Sequence, residues 1–212
     1  MTPLVVKLGG STAGRIEMEQ WIAVLASGTM PLVIVPGGGP FADQVRVSQK
    51  EMHFSDAAAH EMAILAMEQF GLVIAERHPR LQPARSLQDI ETIVAEGGIP
   101  VWFPSQMTHN EDIAPSWDIT SDSLAAWLCG QIGSRHLLLC KQVDPESLPK
   151  GLQALVDKGV VDAMLPELLG EETSLYIAGP PSLRSQLAEL PMTRIPGRRV
   201  DIREAAGGGV SR

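Results

Sequence analysis

Two of the five lysines in the 212-residue chain lie next to apolar runs. Lys7 lies near the end of one aliphatic run, and Lys141 directly follows another. A bare ammonium group is costly to bury there unless an anion meets it. Both lysines could therefore stabilise a phosphoryl group in transfer, a reaction that requires alignment and positive charge more than covalent help from the protein. For each lysine alone, reaching solvent or pairing with a carboxylate is the commoner outcome.

Two glycine-rich turns accompany the lysines. Their residues are Gly9, Gly10 and Ser11 in the first turn, and Gly37, Gly38, Gly39 and Asp43 in and after the second. Glycine lets the main chain approach an oxyanion closely, and a turn that leads into a helix leaves amide donors unpaired. A tight strand-to-helix turn explains either segment alone. Neither segment fits the Walker pattern or the complete dinucleotide fingerprint, which disfavours a P-loop enzyme.

Hydroxyl groups and carboxylates gather at residues 117–123, where an apolar helix is predicted to begin. Asp122 has two interpretations. It could stabilise the first helical turn through the helix dipole. Alternatively, it could orient the two lysines through charge-assisted hydrogen bonds, with Asp118 and Thr120 lining the acceptor side.

Short apolar runs alternate with helical segments along the chain. The predicted strands are residues 4–8, 32–35, 100–103, 137–140 and 175–178, and the predicted helices are 17–26, 55–70, 87–96 and 122–129. Gly71, Gly97 and Gly130 are expected to end three of the helices, and Ser55 and Ser86 to begin two of them. Such alternation predicts an α/β fold, a three-layer αβα sandwich with a mainly parallel sheet, whose ligands bind beyond the carboxyl ends of the strands.

The composition limits the class of protein. The formal net charge of −8 argues against general binding of nucleic acid. Cys129 and Cys140 lie in apolar surroundings without a paired ligand spacing, so we expect buried thiols rather than disulfides or a zinc site. The sequence has no signal-peptide pattern and no uninterrupted apolar run of about 18 residues, which predicts a cytoplasmic protein that does not associate with membranes.

Taken in order, these segments resemble the amino acid kinase family. The segments are a Lys-x-Gly-Gly-Ser opening, a second glycine turn, a Thr-Ser-Asp helix start and a Lys-x-Val-Asp turn, and the resemblance extends from residue 4 to about residue 180. It implies a single domain over residues 1–203, with the acceptor over its N-terminal half and MgATP over its C-terminal half, followed by a flexible tail at 204–212. Transfer would be in line, without a phospho-enzyme.

The resemblance also implies roles for individual residues. Lys7, Asp122 and Lys141 would be catalytic; Gly9, Gly10, Ser11, Asp144 and Asp162 would bind the ATP phosphates or the nucleotide; Gly37, Gly38, Gly39, Asp43, Asp118 and Thr120 would line the acceptor site. ATP and Mg²⁺ are the expected cofactors, and no protein residue is assigned as a metal ligand. Pro145 stands where relatives usually have glycine, which puts the nucleotide contacts after Asp144 in doubt.

Within the family, the short chain and the Gly-Pro-Phe-Ala-Asp turn are most similar to the branch that phosphorylates 5-(aminomethyl)-3-furanmethanol phosphate in methanofuran and methylofuran synthesis. This similarity implies a small phosphorylated acceptor and a diphosphate product. Alternatives are a uridylate-kinase-like enzyme, an isopentenyl-phosphate-kinase-like enzyme, and a non-catalytic module that stores or senses nucleotides or oxyanions. An apolar stripe at residues 61–67 is expected to lie in the helix core or at the interface of a homo-oligomer.

Overall fold

Seven strands form one continuous sheet in the computed structural model, which describes residues 2–109 and 119–202. The strands are β1 (Leu4–Leu8), β2 (Leu32–Pro36), β3 (Leu81–Ala84), β4 (Ile99–Trp102), β5 (His136–Cys140), β6 (Ser174–Ala178) and β7 (Arg198–Arg199). Their order across the sheet is β3-β4-β2-β1-β5-β6-β7, and every pair is parallel except β6 with β7. β1 and β5 are therefore neighbours at the centre, and their carboxyl ends lie side by side.

Helices connect the strands on both faces of the sheet. They are α1 (Ile16–Ser27), α2 (Gly39–Met52), α3 (Asp56–Ala75), α4 (Leu87–Ala95), α5 (Ser105–Thr108), α6 (Ser121–Ile132), α7 (Leu152–Asp157), α8 (Leu165–Leu168) and α9 (Pro180–Ala188). Two short 3₁₀ helices, Gly10–Thr12 and Pro145–Ser147, follow β1 and Asp144.

The buried apolar side chains form two clusters, one on each face of the sheet. One cluster joins the sheet to α4, α6, α7 and α8, and the other joins it to α1 and α9, while α3 contributes to both. Along β1, Val5 belongs to the first cluster, and Leu4, Val6 and Leu8 belong to the second. This alternation confirms the predicted three-layer αβα arrangement.

The same alternation determines where the two lysines point. Lys7 shares the face of Val5, which α6 covers. On β5, Leu139 belongs to the α6 face and Cys140 to the opposite face, so Lys141 returns to the α6 side. β1 and β5 pair in parallel with Lys7 opposite Leu139. Both ammonium groups are thus directed to the start of one helix.

The predicted ends of two helices were wrong. α3 continues through Gly71, where a Cβ atom would lie 2.9 Å from the Phe103 ring, so glycine serves close packing rather than helix termination. α6 continues past Gly130 and ends at Gly133, whose φ of 65° is the left-handed conformation that closes a helix. Gly97, with φ of 77°, follows α4 as predicted.

Other local predictions are confirmed. The Ser55 side chain accepts a hydrogen bond from the Ala58 amide at 3.2 Å, and Ser86 forms a reciprocal capping box with Asp89. Cys129 and Cys140 are buried free thiols, and burial raises the pKa of Cys129 to about 12. The five predicted strands are present within one residue at each end.

Helix α3 has a partly exposed apolar surface. By length and composition alone it could cross a membrane, but one such helix is weak evidence, because core helices of globular folds pass the same test. α3 packs against β2, β3 and β4 through one side, and its other side exposes Met62, Leu65 and Leu72. The homo-oligomer expected from this apolar sequence stays a prediction.

Candidate active site

Lys7, Asp122 and Lys141 form one buried cluster at the carboxyl ends of β1 and β5. Lys7 Nζ lies 2.8 Å from Asp122 Oδ1 and forms an ion pair with it. Lys141 Nζ donates to Asp122 Oδ2 and to the carbonyl of Val160. The Asp122 side chain is 2% exposed, against 9% for Lys7 and 18% for Lys141. The structure therefore brings together all three residues that were predicted to be catalytic.

Asp122 holds its position because the first turn of α6 is fixed from another part of the chain. The Asp162 carboxylate accepts hydrogen bonds from the backbone amides of Thr120 and Ser123 at 3.1 and 3.0 Å, and from both of their hydroxyl groups. It caps the helix in place of a local side chain, since Thr120 makes no side-chain cap of its own. The geometry therefore shows Asp162 as a support of the cluster.

The electrostatics of the cluster follow from burial and from the shared carboxylate. Burial opposes the charge of Asp122, but Lys7 and Lys141 outweigh it and lower the pKa of the carboxyl group to about 2. Burial also opposes the charge of Lys7, yet Asp122 raises its pKa above the ordinary value. For Lys141, burial together with the charge of Lys7 outweighs Asp122, and its pKa is lowered.

Lys7, Lys141 and Asp122 together carry a net charge of about +1 in a mostly buried position, and the neighbouring Asp162 carboxylate offsets part of it. Such a charge is unfavourable unless an anion approaches it. The cluster thus has the charge that a transferred phosphoryl group requires, and Asp122 sets the spacing of the two lysines.

The two glycine turns pack directly on one another. A Cβ atom at Gly10 would collide with the backbone of Gly39, and one at Gly37 would collide with the amide nitrogen of Gly10. Gly39 also has a φ of 56°, which glycine adopts without strain. Gly9 lies close to the ammonium group of Lys7, since a Cβ atom at Gly9 would be 3.6 Å from Lys7 Nζ. Glycine is therefore needed at these positions to bring the two turns together beside Lys7.

This close packing gathers amide donors at one place. Within residues 2–109 and 119–202, no backbone carbonyl accepts a hydrogen bond from the amides of Gly10, Ser11, Gly38 or Gly39. The last two amides also belong to the start of α2, a 14-residue helix whose N-terminus carries partial positive charge. The turns can therefore bind phosphate oxygens, as the sequence predicted.

A pocket of about 330 Å³ opens from Lys7 between α2, α3 and α6. Its polar end consists of Lys7 and the two turns, and Thr120 and Ser121 line it from α6. Its wall is apolar, and the contributing side chains are Ala42, Ala63, Ile64, Met67, Ile119 and Leu124. The shape and polarity suit a small molecule with an anionic end and an apolar body.

Four predicted acceptor residues, Gly38, Gly39, Asp43 and Thr120, line this pocket. Gly10 and Ser11, which were predicted to bind the ATP phosphates, line the same pocket. Gly37 supports it from behind through its contact with Gly10. Asp118 lies outside the described residues. Sequence reasoning missed Arg46 and His60, which line the outer part of the pocket from α2 and α3. The spacing of Gly39, Asp43 and Arg46 at helical intervals was the available signal, but α2 itself was not predicted.

The nucleotide side of Lys141 is built differently. Asp144 lines a second hollow with Pro145, α9 and residues 194–197. The turn from Lys141 to Asp144 packs on Gly179, because a Cβ at Gly179 would collide with the Val143 carbonyl. Arg198 donates to the carbonyls of Pro145 and Pro149 at 2.9 and 2.8 Å. Sequence reasoning missed both Gly179 and Arg198.

Comparison with known proteins agrees with this architecture. A sequence model of the amino acid kinase family matches residues 2–145. The chain is 31% identical over 143 residues to the [5-(aminomethyl)furan-3-yl]methyl phosphate kinase of Methanocaldococcus jannaschii, and the match spans 66% of each chain.

Solved structures show the same fold at low sequence identity. The uridylate kinase of Archaeoglobus fulgidus superposes with a TM-score of 0.68 at 17% identity, over 94% of this chain and all of that one. The aspartate kinase of Synechocystis superposes with a TM-score of 0.67 at 14% identity, over 96% of this chain and 40% of that one. The chain therefore belongs to the amino acid kinase family and is a kinase of that fold.

Proposed function

We propose that the protein transfers the γ-phosphoryl group of ATP to a small acceptor that already carries a phosphate monoester. The acceptor we propose is [5-(aminomethyl)furan-3-yl]methyl phosphate, and the product is its diphosphate. The observation that carries this proposal is the cluster of Lys7, Asp122 and Lys141, which combines net positive charge with a carboxylate that cannot act as a base.

Asp122 is unsuited to proton abstraction for two reasons. Its pKa is lowered to about 2, and each of its oxygens faces a lysine ammonium group. An alcohol acceptor would need a general base to remove its proton. A phosphate monoester needs none, because its second pKa is near 6 and it is largely a dianion at neutral pH. The site therefore favours an acceptor that is already an anion.

In the proposed phosphoryl transfer, the glycine turns, the two lysines and Asp122 have separate roles. The amides of the two glycine turns hold the acceptor phosphate beside Lys7. Lys7 and Lys141 offset the negative charge that spreads over the moving group, and Asp122 keeps their spacing. An acceptor oxygen forms the new bond to the γ-phosphorus while the bond to the oxygen bridging the β- and γ-phosphates breaks, and the electron pair leaves with ADP.

Magnesium fits this arrangement as a partner of the nucleotide. In the described residues, the two carboxylates at the cluster are already engaged, Asp122 by the lysines and Asp162 by α6. Mg²⁺ commonly keeps several waters and binds through substrate phosphates. When bound, it would supply further charge neutralisation. We therefore propose that magnesium enters as MgATP, and that the adenine base of the nucleotide lies toward Asp144.

The 31% identical relative supports the furan acceptor, and the pocket supports it through its anion-binding end and apolar wall. The uridylate kinase structure supports the fold alone, since it is 17% identical. UMP and isopentenyl phosphate therefore remain rival acceptors to be compared directly with the furan phosphate.

A panel of acceptors with γ-labelled ATP tests the proposal. It contains the aminomethylfuran phosphate, UMP, isopentenyl phosphate, and the furan alcohol without phosphate. We expect the highest kcat/KM with the furan phosphate and no transfer to the alcohol. Faster turnover of UMP or isopentenyl phosphate would overturn the acceptor, and ATP binding without transfer to any acceptor would favour a storage or sensing module.

A further inference from the structure

Helix α2 contributes a row of pocket residues at regular spacing. Gly39, Asp43 and Arg46 all line the pocket and lie at positions i, i+4 and i+7, which form one face of a helix. With a rise of about 1.5 Å per residue, Asp43 lies about 6 Å along the axis from Gly39, and Arg46 about 10 Å. The helix therefore sets a fixed distance between its N-terminal amides and the Asp43 carboxylate.

The charge along this row changes sign. At Gly39, the helix N-terminus and the nearby Lys7 favour an anion. One turn later, Asp43 brings a carboxylate to the same pocket, where it would repel a purely anionic ligand. The same pocket is lined by the apolar side chains of Ala42 of α2 and of Ile64 and Met67 of α3. The pocket thus combines an anion site at Lys7 and the helix N-terminus, an apolar wall, and the Asp43 carboxylate, whose partner Arg46 also lines the pocket.

The Asp43 carboxylate can exchange its ion pair with Arg46 for one with a ligand cation. Its side chain is 75% exposed and pairs with Arg46 across one helical turn, with 3.0 Å between Arg46 Nη1 and Asp43 Oδ1. Exposed pairs of this kind contribute little to stability, since water screens them and two mobile side chains must be ordered. A ligand cation can therefore take the place of Arg46 at low cost.

We propose that Asp43 binds an ammonium group of the acceptor about one helical turn from the acceptor phosphate. This inference rests on the proposed function and defines its substrate class more closely: a phosphate monoester whose short apolar body carries a primary amine. Asp43 then determines specificity, because an acceptor of the same size without the amine gains nothing from the carboxylate.

The experiment compares two acceptors in two variants. The acceptors are [5-(aminomethyl)furan-3-yl]methyl phosphate and its analogue with a methyl group in place of the aminomethyl group. The variants are Asp43→Asn and, as a matched control, Glu51→Gln, which removes an exposed negative charge from the other end of α2. For the unmodified protein, we expect kcat/KM to be about 10- to 100-fold higher with the amine, the range of a charge-assisted hydrogen bond.

Asp43→Asn is expected to lose that preference. Its kcat/KM should fall about 10- to 100-fold with the amine and stay within about twofold with the methyl analogue, while Glu51→Gln changes neither. An equal loss with both acceptors, or an amine preference retained by Asp43→Asn, would overturn the role of Asp43 and leave the kinase proposal standing. Failure of the unmodified protein to phosphorylate either furan phosphate would instead refute the proposed function, and the inference with it.

Discussion

The acceptor and nucleotide sides of the cluster are assembled in different ways. On the acceptor side, two glycine turns 27 residues apart touch backbone to backbone, so small local motifs define the geometry. On the nucleotide side, the turn after Lys141 is held by Gly179, which follows β6, and by Arg198 of β7. The family match ends at Pro145, where this second kind of construction begins.

The construction of the nucleotide side also accounts for Pro145, at the position where the family resemblance led us to expect glycine. Pro145 is the first residue of a 3₁₀ helix, a position that suits its fixed φ and missing amide hydrogen. The Asp144 carboxylate accepts a hydrogen bond from the Glu146 amide at 3.1 Å, and the Arg198 guanidinium donates one to the Pro145 carbonyl. The turn is therefore well satisfied with proline, and the sequence departure does not disrupt the lysine that precedes it.

Removing Lys7 should give the largest loss of activity. We expect Lys7→Ala to lower kcat about 1,000-fold, because a buried cation next to the moving phosphoryl group is lost. The free energy of unfolding should fall less than in an Asp122 variant, because Asp122 still forms its ion pair with Lys141. Steady-state kinetics and thermal melting measure the two effects, with the exposed Lys50→Ala as control. A kcat within tenfold of the unmodified protein would exclude Lys7 from the chemistry.

Asp122→Asn should lower kcat about 100-fold or more. It should also give the largest loss in the free energy of unfolding, about 3–5 kcal/mol at neutral pH, because two buried ammonium groups lose their shared carboxylate. The loss depends on pH. The folded pKa of about 2 lies below the ordinary 3.8, so the charge stabilises the fold above about pH 4 and ceases to do so as pH falls toward 2.

Chemical denaturation of both proteins between pH 5 and pH 2 measures this dependence. The stability difference between the unmodified protein and Asp122→Asn should shrink by about 2 kcal/mol over that range, the value of a pKa shift of this size. A difference that stayed constant with pH would mean that Asp122 is not held as a carboxylate by the lysines.

Gly10→Ala tests the contact between the glycine turns. The added Cβ would collide with Gly39, and the resulting separation should lower kcat/KM about 100-fold, as displacements of about 1 Å do at catalytic sites. Gly130→Ala is the matched control, because no atom lies within 4 Å of a Cβ there. It should leave activity unchanged and stabilise α6 by about 0.5–1 kcal/mol. Equal activities of the two variants would contradict the packing argument.

Arg198→Ala should produce the smallest effect, confined to the nucleotide side. Loss of its bonds to the carbonyls of Pro145 and Pro149 should loosen the turn beside Asp144 and raise the KM for ATP about tenfold, with the acceptor KM and kcat nearly unchanged. The adjacent exposed Arg199→Ala serves as control. A change in acceptor KM of similar size would show that the two sides are not separable in this way.

The convergence of Lys7, Asp122 and Lys141 could be predicted from sequence for a physical reason. Parallel strands bring their carboxyl ends to one edge of the sheet, and alternation along β1 and β5 directs both lysines to one face. The helix start that carries Asp122 must then cover that face. The two-residue period of a strand and the order of the elements therefore suffice to predict the position of the cluster.

The features that the sequence did not predict depend on long-range contacts or have weak local signals; for Asp162, which was predicted to bind the nucleotide, it was the role as a helix cap that was missed. Asp162 reaches Thr120 across 42 residues, so only the folded chain reveals it as a cap. β3 contains a proline and lies at the sheet edge, where a strand has little sequence signature. α2 is mostly polar, which hid its helical spacing and with it Arg46. The catalytic cluster was therefore predictable from the sequence, whereas the residues that hold it in position were not.

Phosphorus NMR of the complete reaction tests the central claim most directly. With MgATP and the aminomethylfuran phosphate, we expect the monoester signal to be replaced by two coupled diphosphate signals of equal area, matched by ADP. Lys7→Ala should show almost none of this conversion. A monoester signal that persists while ATP yields only inorganic phosphate, or equal conversion by Lys7→Ala, would contradict phosphoryl transfer at this cluster.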